Sequence, residues 1–130
     1  WNALYENGFE CINVLNPKDA YFEYLKNQTA IRFALKGTFI WNFEVKFPKR
    51  DTDEFSLHNK ILVELNNHKV NTSNFELQIA YKLSMSGDKD FEDAKHLWNI
   101  FKNSLNKELF NGFVRRFKVE KKAKKLEEQN

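Results

Sequence analysis

The chain is poor in the residues that punctuate or cross-link a fold. A single cysteine, Cys11, excludes an intramolecular disulfide and a cysteine-rich metal site, and it points to a reducing, cytoplasmic setting. No apolar run approaches the roughly 18–20 residues that cross a bilayer, so no membrane partner is expected. The opening WNALYENGFE has neither the basic nor the apolar region of a secretion signal. It also lacks an initiating Met, from which residues upstream of Trp1 are expected. Motifs that would announce chemistry are missing too: a glycine-rich phosphate loop ending in Lys-Ser/Thr, G-x-G-x-x-G, and the G-x-S-x-G nucleophile turn. The three histidines, His58, His68 and His96, lack the spacing of metal ligands.

Large aromatics are plentiful. Thirteen Phe and three Trp in 130 residues are enough to bury a core, and a mean hydropathy of −0.68 suits a globular chain. The length fits one domain or part of a larger protein. The net charge of +3 is concentrated at one end, since residues 115–130 hold seven Lys/Arg against three Asp/Glu.

Hydrophobic periodicity organises the chain as an α+β fold, a small mixed or antiparallel sheet followed by a C-terminal helical bundle. Residues 1–72 read as sheet-rich. A short helix ends at Gly8, a strand covers Phe9–Leu15, and Asn16-Pro17 opens a second helix. AIRFALK and FIWNFEVKF form a hairpin across Gly37-Thr38, with PKRDTDE after it as an exposed loop. A second hairpin turns at Asn66-Asn67. Residues 73–117 switch to a helical period, with caps at Ser73 or Asn74 and at Asp88, and a break at Gly87. Residues 118–130 lose the apolar stripe and read as a basic, frayed tail.

Strand parity in FIWNFEVKF puts Phe39, Trp41, Phe43, Val45 and Phe47 on one buried face, with Glu44 and Lys46 on the other. The hairpin brings Arg32 and Lys36 to that second face. A carboxylate among cations can hold a metal, and the cations can hold phosphate. The simpler reading, which periodicity favours, is an exposed sheet face with cross-strand ion pairs. Asp90 and Asp93 sit at a helix start, where the dipole favours carboxylates. The basic end, Arg115 to Lys125, suits either phosphate contact or a solvated helix.

Three stretches, IRFALKGTFIWNFEVKF, NTSNFELQIAYKL and SGDKDFEDAKHLW, together resemble the later part of nucleotidyltransferases of the polymerase-beta-like superfamily, of the abortive-infection and minimal types. The resemblance implies that Glu44 is a late catalytic, metal-associated acid and that Lys89, Asp90 and Asp93 match a K-D-x-x-D helix start. It also implies Mg²⁺ as cofactor, a nucleoside triphosphate as substrate and an RNA or protein acceptor. Arg32, Lys36, Lys46 and Lys89 would then contact nucleotide or phosphate, while Asp90 and Asp93 would be structural or nucleotide-contacting. The family's Gly-Ser turn and D-x-D or D-x-E pair do not occur before Glu44, so residues 1–130 alone are not expected to transfer nucleotides. Two roles follow: a nucleotidyltransferase completed by an upstream segment, or a non-catalytic module that binds RNA or protein.

Overall fold

The computed structural model describes residues 1–128. The class is α+β, with two small antiparallel sheets and a helical run towards the C-terminus. The chain divides into two compact units, Trp1–Asp53 and Glu54–Asn130.

In the first unit, α1 (Asn2–Glu6) ends at Gly8, whose φ of +81° suits a residue without a Cβ. Strand β1 (Phe9–Cys11) follows and is shorter than the run to Leu15 suggested. Asn16 caps α2 (Pro17–Asp19) by accepting the Asp19 N–H at 2.9 Å. The coil then continues through a π turn (Ala20–Tyr24) and a 3₁₀ turn (Leu25–Asn27). Strands β2 (Ile31–Leu35) and β3 (Phe43–Val45) complete an antiparallel sheet in the order β1-β2-β3. Cys11, Ala20, Ile31 and Phe33 form its core, with Trp1, Phe9, Tyr24 and Val45 packed around them.

Three expectations are corrected here. The strand FIWNFEVKF shrinks to Phe43–Val45, because residues 36–42 make a long connection instead of a tight turn. Of the face expected to be buried, Phe39 and Trp41 are therefore exposed, at 74% and 88%, and Phe43 and Phe47 are part-exposed; Ile40 between them is also 74% exposed. Leu35 is also half-exposed, since the β2–β3 ladder ends at the Phe33–Phe43 pair and leaves it no β3 neighbour. PKRDTDE is not a loop throughout, for α3 (Asp51–His58) begins inside it. The Asp53 carboxylate accepts the N–H groups of Lys49 and Arg50, each at 3.1 Å, and so satisfies donors ahead of the helix.

The second unit contains the hairpin β4 (Ile61–Leu65) and β5 (His68–Thr72), as expected. Its turn residues Asn66 and Asn67 both take positive φ, 49° and 65°, the conformation a two-residue primed turn requires. Asn74 caps α4 (Phe75–Ser84) by accepting the Leu77 N–H, and Asn106 caps α6 (Lys107–Phe117) by accepting the Leu109 N–H. Between them, α5 (Asp88–Phe101) takes Gly87 as its cap residue, so Asp88 is the first helical residue and not the cap. Leu77, Ile79, Leu83, Ala94, Phe110, Phe113 and Val114 fill the core.

The basic tail is also corrected. Residues Glu120–Glu128 form α7, with Val119, Ala123 and Leu126 buried in that same core. Their i, i+4, i+7 spacing is a narrow stripe of one small and two medium side chains, easily lost among four lysines.

Candidate functional site

Arg32 and Glu44 are direct partners across β2 and β3. The Arg32 Nε and Nη2 both donate to Glu44 Oε1, at 2.9 and 2.8 Å. This is the cross-strand ion pair that parity suggested. Lys36 lies just past β2, where its N–H donates to the Gly8 carbonyl at 2.9 Å. Lys46 follows β3 with Nζ 3.7 Å from Asp53 Oδ1, and Arg50 Nη2 lies 3.8 Å from the same oxygen. Burial opposes ionisation of Asp53, but the Lys49 and Arg50 N–H groups and the nearby cations outweigh it and hold its carboxyl below the ordinary range.

Lys89, Asp90 and Asp93 lie in the second unit, at the start of α5. Lys82, near the end of α4, donates from Nζ to Asp90 Oδ1 at 3.0 Å and to Asp93 Oδ2 at 2.9 Å. The two aspartates thus clasp α4 to α5 and fix the start of α5 against a neighbouring helix. Hydrogen bonds to Asp93 and then Asp90 raise the Lys82 pKa, and the Lys82 hydrogen bond lowers that of Asp93. Lys89 is exposed on the first turn, and its charge adds to that of Lys82 in favouring the Asp93 carboxylate.

The residues present do not fit a Mg²⁺ centre. A divalent cation of this kind needs convergent oxygen ligands, whereas Oε1 of Glu44 is taken by the Arg32 guanidinium. Among the described residues no three His, Cys, Asp or Glu side chains come together as a metal-holding group. His58 stays with its own helix, its Nδ1 2.8 Å from the Glu54 carbonyl oxygen.

Part of the basic end is committed to structure. Lys122 Nζ donates to the carbonyls of Leu83 and Met85, at 2.7 and 2.8 Å, and so closes the C-terminus of α4. Lys125 sits 5.0 Å from the centroid of the Phe91 ring, and Lys124 pairs with Glu128 at 3.7 Å. A groove of about 570 Å³ is lined by Phe55, Leu109, Phe113 and two cations of the basic end, Arg115 and Arg116, and contains none of the residues that the resemblance marks. Among the described residues no helix is long and apolar enough to cross a membrane.

Periodicity missed Lys82, Asp53 and Lys122. Lys82 stands eight and eleven residues before its aspartates, so its role depends on the helix reversal at Gly87. Asp53 sits in a polar run, and Lys122 is one of several similar lysines. Against known families, curated proteins and solved structures the chain finds no match.

Proposed function

We propose that this chain is a protein-binding module that docks a partner through the β2–β3 connection. One observation carries the reading: Phe39, Ile40 and Trp41 are consecutive, apolar and at least 74% exposed. Large apolar side chains clustered outside a core mark interaction surfaces, and Trp and Phe supply much of the energy at such contacts. The first unit carries seven Lys/Arg and seven Asp/Glu, a neutral balance that favours an apolar protein pocket over a phosphate backbone. The bonds of Lys122 to two backbone carbonyls and the contact of Lys125 with Phe91 also weigh against an RNA comb that uses every lysine of the basic end. The lone, buried Cys11 suits a reducing, cytoplasmic setting for this binding.

Nucleotidyl transfer remains tied to the resemblance and gains no support from the carboxylate arrangement. No catalytic step is derived for it.

The test places a photo-crosslinking amino acid at position 40, identifies the adduct, and measures binding of that purified partner by calorimetry. A protein adduct other than a second copy, bound about tenfold or more weakly by Trp41→Ala, is expected. An RNA adduct, or a partner indifferent to Trp41→Ala and Phe39→Ala, would overturn the reading.

A further inference from the structure

Strand β3 lies at one edge of the first sheet and, among the described residues, has no strand on its outer side. The hydrogen-bond phase shows which groups face out. The Ile12 N–H donates to the Arg32 carbonyl, and the Lys36 N–H to that of Gly8, both at 2.9 Å. Even-numbered residues of β2 therefore turn their backbone groups to β1, and odd-numbered ones turn theirs to β3. Since Ile31 faces Val45 and Phe33 faces Phe43, these are the hydrogen-bonded pairs of β2 and β3. The N–H and C=O groups of Glu44 and Lys46 consequently point to the open side. Pro48 biases Phe47 to an extended backbone, so the edge continues as Phe43-Glu44-Val45-Lys46-Phe47.

That segment is self-complementary: aromatic, acid, valine, base, aromatic. We infer that two copies of this chain associate by antiparallel pairing of β3 with β3 about a twofold axis at Val45. Hydrogen bonding at the open side pairs even-numbered residues with even-numbered ones. With the axis at Val45, Glu44 of each copy lies opposite Lys46 of the other. Moving the axis to Glu44 or to Lys46 sets like charges directly opposite, which is destabilising. Charge thus favours this register over the two that neighbour it.

The same register sets Phe43 against Phe47 of the second copy on the other face, where both rings are now part-exposed. Arg32, Glu44 and Lys46 of the second copy then form a row of alternating charge. Lys46 can leave Asp53 at little cost, because that carboxylate keeps the Lys49 and Arg50 N–H groups. Phe39, Ile40 and Trp41 lie outside the paired segment, so this association is independent of the partner docking proposed above.

Sedimentation velocity of the 130-residue chain over a concentration series tests the pairing. A dimer that dissociates on dilution is expected. Glu44→Lys and Lys46→Glu should each weaken it about tenfold or more. Mixing the two variants should restore association, because an edge bearing two lysines then meets one bearing two glutamates. Circular dichroism checks that both variants are folded. A readout on the unaltered chain is amide exchange: the N–H groups of Glu44 and Lys46 should slow with rising concentration while that of Val45 does not. A wild-type chain monomeric throughout, charge reversals without effect, or amide exchange independent of concentration would each overturn the inference.

Discussion

The Arg32 guanidinium meets Glu44 with two nitrogens on one oxygen, Nε at 2.9 Å and Nη2 at 2.8 Å, across neighbouring strands. The carboxylate that the resemblance marks for a metal is thereby engaged by a cation. Each strand supplies one half of the pair because the register sets the two residues directly opposite.

Both side chains are more than half exposed, at 56% and 51%, so water screens the pair. Glu44→Ala should lower stability by less than about 1 kcal/mol. Urea denaturation with and without added Mg²⁺ checks this, and the metal should not distinguish the wild type from the variant. A Mg²⁺-dependent gain confined to the wild type would return Glu44 to a metal role.

Lys82 is the more consequential cation. Replacing it with Met keeps the stem packed between α4 and α5 but leaves Asp90 and Asp93 facing each other without a donor. The helix dipole at the α5 N-terminus still favours both carboxylates, and the cluster is partly solvated. The expected loss is about 1 kcal/mol, read from a thermal or urea transition. The double change of Asp90 and Asp93 to Asn should cost Lys82→Met most of its effect.

The same clasp predicts two pH limbs. Asp93 has its pKa held below the ordinary 3.8, so its contribution is present above that value and is lost as pH falls through the folded pKa. Asp53 adds to this acid limb in the same sense. Lys82 has its pKa raised above 10.5, so its contribution is present below that value and is lost as pH rises through the folded pKa. Thermal melts across acid and alkaline pH should show both limbs. Lys82→Met should remove the alkaline one and shrink the acid one.

Trp41 has a left-handed backbone, φ +64°, with its ring in solvent. A non-glycine residue there carries a cost of order 1 kcal/mol that no internal packing offsets. Trp41→Gly should therefore leave melting temperature unchanged or slightly raised, while partner binding falls about tenfold or more. A marked loss of stability would assign the ring to the fold instead of the interface.

Helix α4 was legible because an apolar stripe and a capping residue coincide, at Asn74 before Phe75. The hairpin at Asn66-Asn67 was legible because asparagine tolerates positive φ. The run Phe39–Phe47 misled, since alternation describes a strand only where a partner strand runs alongside, and residues 36–42 leave β2. Helix α3 offers only Phe55 and Leu57 as large apolar residues, and the Asp53 turn that opens it is visible only in space. Of the candidate site, the Arg32–Glu44 pair could be read from parity. The clasp at Lys82 could not, because helical reversals bring together residues that periodicity keeps in separate segments.

The bonds from Lys122 to Leu83 and Met85 reach back 39 and 37 positions. Helix α4 can coil and pack on α5 well before those carbonyls have a protein donor, and until then water must serve them. The final turn of α4 thus depends on a long-range contact, and such contacts are expected to form later than local ones. In a folding experiment, amides near Leu83 should acquire protection together with those around Leu126 instead of with the first turns of α4. The second unit closes like a belt, with its buckle supplied by the last of its described helices in chain order.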